Sequence, residues 1–223
     1  DVRVRLAGHV EAHGLNNFGR IPSWDAVRVS ISPNLPHNAG RTIADMARQG
    51  GTDPFAAALD YIVADRGQTR VLVTSMSEDD VGAFVASPDV LVGSDGNSVA
   101  PDGVTGQGRP HPRFYGTFAR VLGHYVRDLG LLSLEDAIRK MTGATATALG
   151  IADRGVLGAG TRADVTIFDA GRIAERATYE DPHRYAEGIS TVIVNGQPVF
   201  ENGVHTGALP GHVLGRQPAA DAP

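Results

Sequence analysis

The sequence predicts an α/β chain that gives way to a β-rich carboxyl-terminal part, and three observations carry that prediction. Short β-branched runs at 26–32, 70–75 and 89–94 alternate with helical patterns. The pattern changes after Ile151 to brief strand-like runs broken by glycine. Near the end, "VIVNGQPVF" joins two such runs at Asn195-Gly196, the dipeptide favoured by tight hairpins.

In chain order, Ala26–Ser32 alternates and stops at Pro33, which cannot donate to a ladder, so it reads as a strand. The loop Pro33–Gly40 follows. "GRTIADMARQGG" places Ile43, Met46 and Ala47 on one helical face and ends on a glycine pair. "TDPFAAALDYIVADRG" opens with Asp53 as a cap and Pro54 in the first turn, and Gly67 closes it. "RVLVTS" is a strand, "SEDDVGAFVAS" a helix with acids in its first turn, and "DVLVGS" a second strand. Strand, helix and strand in so few residues predict a parallel βαβ unit.

The loop 95–112, with glycines at 96, 103, 106 and 108 and prolines at 101, 110 and 112, is long enough to predict a functional segment. Its glycines fit neither a dinucleotide fingerprint nor a P-loop, and are expected to let the loop pass close over a ligand. Residues 114–130 and 133–150 read as two or three helices, with Ser133 and Asp136 as a variant capping box. A small all-β unit is expected from 151, and the Ala/Pro-rich end as a frayed, disordered tail over 216–223.

Composition excludes several classes of function. The 223 residues carry 20 Lys plus Arg against 25 Asp plus Glu, with no basic run interleaved with aromatics, so no nucleic-acid footprint is present. No cysteine is available for disulfides or thiolate metal sites. No stretch approaches the roughly 18 apolar residues of a membrane span, and the first residues lack the pattern of a signal peptide, so a soluble, cytoplasmic protein is expected.

A polar residue at the carboxyl end of a parallel strand is where open α/β sheets and (β/α)8 barrels place their chemistry. Asp95, just after "VLVGS", stands at such a position; read alone, Asp95-Gly96 is equally a plain turn. A closed barrel needs about 250 residues, and only about 150 precede the β-rich part, so the chain reads either as a smaller α/β sheet or as the second part of a larger protein.

Together "NNFGRIPSWDAVRVSISP", "VLVGSDG", "HPRFYGTFARVLGHYVRDLGLLSLEDAIRKMTGATATALGI", "DRGVLGAGTRADVTIFD" and "VIVNGQPVFENGVHTGALPGHVL" resemble the carboxyl-terminal part of N-acyl-D-amino-acid deacylases, the D-aminoacylases of the amidohydrolase superfamily. The resemblance implies that residues 1–150 form the last part of a metal-dependent (β/α)8 (TIM-type) barrel and 151–215 a small β-sandwich subdomain. It also implies zinc-dependent hydrolysis of the amide of an N-acyl-D-amino acid. Zinc polarises water and carbonyl in such chemistry. Asp95 is then the acid/base carboxylate, with a shared or weak hold on the metal, and Arg113 grips the substrate α-carboxylate. The family's His-x-His and other first ligands to zinc have no match here, so the main ligands are expected outside this segment, which should be inactive alone.

His111, two residues before Arg113, is a candidate to touch substrate or to orient Asp95, and His37 in the loop after the first strand is a further substrate-binding candidate. His9 and His13 are spaced for one helical face but read as an exposed pair, and His183, His205 and His212 as surface. The expected partners are the small-molecule substrate, the remaining barrel segment or a complementary chain, and further copies in a homo-oligomer that covers an open sheet edge. Two alternatives stand beside this one: a dihydropyrimidinase-like hydrolase of cyclic or other amides, and a non-catalytic half-barrel partner subunit.

Overall fold

The computed structural model describes residues 2–13 and 23–214; the expected tail at 216–223 lies outside them. The chain forms two compact units. Unit 1 takes in Asp1–Ser77, Gly96–Phe114 and Ala177–Arg184, and unit 2 takes in Glu78–Asp95, Tyr115–Arg176 and Tyr185–Pro223.

Unit 1 contains helix α1 (Val2–His13), strand β1 (Val27–Ile31), helices α2 (Ile43–Gly50) and α3 (Pro54–Ala64), and strand β2 (Arg70–Val73). The local chemistry of the helix starts is as predicted. The Asp53 carboxylate accepts from the amides of Phe55 and Ala56, and Pro54 occupies the first turn, where no amide is missed. Thr42 and Asp45 form a reciprocal capping box that the sequence reading passed over, and Gly51 ends α2 with φ 61°.

β1 and β2 pair antiparallel, with Val27 opposite Val73 and Val29 opposite Val71. Val27, Val29, Ile43 and Tyr61 form the buried core of this unit, flanked by Trp24, Leu35, Met46 and Ala58. The Tyr61 hydroxyl is satisfied by Ser32 at 2.8 Å. Asp65 is fully buried and ties the end of α3 to the 33–40 loop, accepting from the Asn34 amide at 2.9 Å and the Thr69 hydroxyl at 2.6 Å. Burial acts to raise its pKa, but hydrogen bonds from Thr69, Asn34 and Ser32 more than offset this and hold the carboxyl below the usual aspartate value.

The expected parallel βαβ unit does not form. β2 pairs with β1 instead, and the "DVLVGS" segment pairs with no strand among the described residues. A buried parallel strand takes its backbone partners from two neighbours. Without them the residues keep an irregular path despite their β-branched composition.

Unit 2 holds helix α4 (Glu78–Ala86), the continuation of α5 (Arg113–Arg120), a π-wound turn (Val121–Asp128), and helices α6 (Leu134–Met141) and α7 (Gly143–Leu149). Ala119, Val121, Leu122, Tyr125, Ala137 and Ile173 are its buried core, with Val85 and Val92 packed against it. The reading of 114–130 as a plain helix misses the widened winding, in which the Leu129 amide reaches back to the His124 carbonyl at 2.9 Å. Gly123 is required there: a Cβ would lie 2.5 Å from the Ile173 carbonyl oxygen. Ser133 caps α6 through the Asp136 amide, as expected.

Lys140 of α6 is completely buried and donates to the carbonyls of Val85 at 2.5 Å and Ser87 at 2.6 Å, at the carboxyl end of α4. Its neighbour Arg139 reaches the Pro88 carbonyl at 3.3 Å. The start of the irregular path toward Asp95 is therefore held by two cations of one helix, at the end of α4 where the dipole favours positive charge.

A four-stranded antiparallel sheet completes unit 2: β3 (Val165–Phe168), β4 (Ile189–Val194), β5 (Gln197–Glu201) and β6 (Val204–His205), in that order. Asn195 and Gly196 take φ 48° and 80° in the β4–β5 turn, as the hairpin signal predicts, and Asn202-Gly203 repeats the device with 51° and 87°. No helix of the described residues is long and apolar enough to cross a membrane.

Two outcomes are expected. Lys140→Met leaves the half-buried Val85 and Ser87 carbonyls without this donor and should lower unfolding stability by about 1–3 kcal/mol, read from the urea midpoint at unchanged slope. Asp65 has a lowered folded pKa, so its stabilisation is fully present above the ordinary aspartate value and is lost as pH falls through the folded one. Asp65→Asn should therefore shift the urea midpoint strongly near neutrality and much less in acid; an equal shift at both pH values contradicts the ionised network.

Candidate active site

The segment Gly108–Arg113 is fixed against β1. The Arg109 amide donates to the Ser30 carbonyl and the Ser30 hydroxyl donates to the Arg109 carbonyl, both at 2.8 Å. Gly108 has φ 77°, and a Cβ there would sit 2.7 Å from the Ser30 carbonyl oxygen, so a larger residue would break this pairing. The glycines of the 95–112 loop were expected to approach a ligand; at Gly106 and Gly108 the close approach is instead to the protein's own chain, Pro101 and Ser30–Ile31. The Arg109 guanidinium passes over Gly40 and donates to the Glu180 carbonyl at 2.9 Å.

The other wall of this segment is 177–184. His183, read from sequence as surface, is half-buried, and its Nε2 donates to the Gly108 carbonyl at 3.1 Å. His205 and His212 are exposed, as expected. His111 Nδ1 accepts the Arg113 amide at 3.0 Å, and Nε2 lies 3.0 Å from the Tyr179 hydroxyl. The two rings meet edge to face, with centroids 5.1 Å apart. Neither Tyr179 nor His183 was legible as a partner of this loop, since roughly 70 residues of unrelated pattern intervene.

Of the candidates, His111 and Arg113 are brought together directly. Arg113 is the first residue of α5, half-buried, with its guanidinium 5.9 Å from the Phe114 ring centroid. His37 stands exposed on the short 3₁₀ turn Pro36–Asn38, where Asn38 makes the polar contact by accepting from Arg41 at 2.9 Å. Asp95 belongs to unit 2 and is exposed, with φ 46°, a left-handed conformation that Asp tolerates better than most side chains. It therefore heads an irregular loop and not a formed strand. The side chain of His13, and with it the His9–His13 spacing, lies outside the described residues.

A separate ionic cluster lies within unit 2. The Arg120 guanidinium bonds Glu175, Glu78 at 2.8 Å and the Tyr125 hydroxyl at 3.3 Å, and Tyr125 donates to Glu78 at 2.5 Å. The bond from Tyr125, aided by Arg120 and His124, outweighs burial and holds Glu78 below the usual glutamate value. Burial and Glu78 push Tyr125 up. These groups saturate one another and join α4, α5 and the 173–176 segment, which is a structural arrangement.

Among the described residues no three His, Asp or Glu side chains converge to hold a metal ion. Asp95 has a carboxylate suited to a hard cation but belongs to no such group of three among the described residues, so these residues do not by themselves make a zinc site.

Comparison with known proteins places the chain. A D-aminoacylase of Alcaligenes xylosoxydans xylosoxydans is 39% identical over 98% of this chain and 50% of its own length. The N-acyl-D-glutamate deacylase of the same organism is 37% identical over 91% of this chain and 38% of its own. The crystal structure of N-acyl-D-glutamate deacylase from Bordetella bronchiseptica, complexed with zinc and a phosphonate inhibitor that mimics the tetrahedral intermediate, superposes with TM-score 0.70 at 37% identity, covering 83% of this chain and 36% of that one. A D-aminoacylase structure with a binuclear metal centre gives 0.69 at 38% identity, over 82% and 36%. This chain thus spans half or less of the length of these relatives. The Amidohydrolase family model matches residues 5–200, and the chain belongs to that family.

Proposed function

We propose that this chain is the carboxyl-terminal portion of a zinc-dependent N-acyl-D-amino-acid deacylase, which hydrolyses the amide bond of an N-acyl-D-amino acid to a carboxylate and a free D-amino acid. The observation that carries the reading is the identity to a D-aminoacylase along nearly the whole chain, 39% over 98% of it. Deacylases of N-acyl-D-glutamate and N-acyl-D-aspartate show similar identity, which favours a linear substrate with a free carboxylate over a cyclic amide.

In this reading residues 1–150 belong to the last part of a (β/α)8 barrel and 151–215 to a small β-sandwich subdomain. The irregular path of Val90–Gly93 fits a barrel strand whose ladder partners are supplied elsewhere. Zinc is held chiefly by ligands outside the described residues, with Asp95 as at most a shared ligand, and the remaining barrel segment or a complementary chain is the required partner.

Amide hydrolysis near neutral pH needs a base to take a proton from water and an acid to deliver one to the leaving nitrogen. Asp95 is assigned both tasks in turn. Its support is the segment "VLVGSDG" and a loop position from which the carboxylate reaches solvent. Arg113 is assigned the substrate α-carboxylate, because its planar fork matches two carboxylate oxygens with charge-assisted bonds. His111 holds the Arg113 backbone, and His37 is kept as a weaker candidate for substrate contact.

Asp95→Asn in the complete enzyme should lower kcat by about 10²–10⁴-fold while a phosphonate mimic still binds; near-normal turnover removes the assignment. Arg113→Lys should raise KM for an N-acyl-D-amino acid by about 10- to 100-fold and leave the matching N-acyl primary amide nearly untouched. Equal losses on the two substrates would show that Arg113 serves the fold instead.

A further inference from the structure

We infer that Tyr179 is a positioning residue for the substrate contact of Arg113, acting through His111. The inference rests on the carboxylate-binding role proposed for Arg113, but its geometry is independent of that role.

The two ring nitrogens of His111 have different partners. Nδ1 accepts the Arg113 backbone amide at 3.0 Å, and a nitrogen that accepts an N–H carries no proton of its own. In the neutral ring the proton then resides on Nε2, 3.0 Å from the Tyr179 hydroxyl oxygen, which accepts it. A half-turn of the imidazole about its Cβ–Cγ bond would put Cδ2 and Cε1 where Nδ1 and Nε2 stand and break both bonds. Tyr179 therefore fixes the rotamer and the tautomer that keep Nδ1 bare and directed at the first amide of α5. Its ring adds the edge-to-face contact at 5.1 Å.

Tyr179 can do this because its own segment is anchored on both sides. Thr178 and Asp181 bond reciprocally at 3.1 and 3.0 Å. Glu180 receives Arg109, and His183 holds Gly108. Ala177 is buried. The 177–184 turn thus grips 108–111 at three points, and the Tyr179–His111 contact is the one that passes on to Arg113. An arginine loses much rotamer freedom when it binds. A fixed Cα reduces how much has to be lost at the moment a substrate carboxylate arrives.

The test uses the complete enzyme with an N-acyl-D-amino acid and its N-acyl primary amide. Tyr179→Phe removes only the hydroxyl and keeps the ring. It should raise KM for the acid about three- to tenfold, the effect of one neutral hydrogen bond, with kcat unchanged and the primary amide unaffected. Nitrogen-15 shifts of His111 should report Nδ1 bare and Nε2 protonated in the parent, and a mixed tautomer in Tyr179→Phe. Because the effect travels through His111, Tyr179→Phe should add nothing in a His111→Ala background. Additive effects in the double variant, or equal losses on both substrates from Tyr179→Phe, overturn the inference. If Arg113→Lys remains selective for the acid while Tyr179→Phe is silent, the inference alone fails; if Arg113→Lys is unselective, the carboxylate reading fails and the inference with it.

Discussion

Lys140 carries a full charge into the interior of unit 2 with no carboxylate beside it among its hydrogen-bond partners; two carbonyls, those of Val85 and Ser87, take the place of water. A buried ammonium is tolerable only if its donors are satisfied, so the carbonyls must stay where they are. They close α4 and open the path that leads to Asp95 eight residues after Ser87. The irregular segment that follows lacks a ladder; Arg139 holds the Pro88 carbonyl, the Val90 amide donates to the Ser87 carbonyl, and Val92 packs on the core.

Unit 1 solves a comparable problem by different means. Its loop Gly108–Arg113 borrows the edge of β1, the Ser30 carbonyl accepting the Arg109 amide and the Ser30 hydroxyl donating to the Arg109 carbonyl, and the absence of a side chain at Gly108 permits the approach. The opposite face is sealed by 177–184. Arg113 enters α5 from a backbone whose amide is held by His111.

Most of the structure decided by near neighbours was legible in the sequence, although the equally local Thr42–Asp45 capping box was not among the predicted caps. Asp53-Pro54, Ser133 and Asn195-Gly196 act within two or three residues, and each behaves as its chemistry requires. Elements decided by distant partners were not legible. "RVLVTS" is a strand, but its antiparallel pairing with β1 depends on residues some 40 positions away, and "DVLVGS" has the composition of a strand without a partner to make it one. The same holds for side chains. Arg113 could be singled out through the family resemblance, and His111 because it lies two residues before it. Tyr179, His183 and Lys140 acquire meaning only from what the fold sets against them.

The division of tasks implied by the proposed function follows from what amide hydrolysis asks of different groups. Proton transfer tolerates an exposed carboxylate on a loop, because the group must exchange protons with water and with the leaving nitrogen. Recognition of an α-carboxylate needs a positioned arginine, and hydrogen bonds run along the backbone that leads to Arg113: Ser30 on Arg109, His183 on Gly108, Tyr179 on His111, His111 on Arg113. A divalent metal needs several ligands converging within a few ångströms, and the described residues offer no such cluster. On the proposed reading, the described residues supply Arg113 for the substrate carboxylate and Asp95 for the proton, and the metal ligands come from outside them.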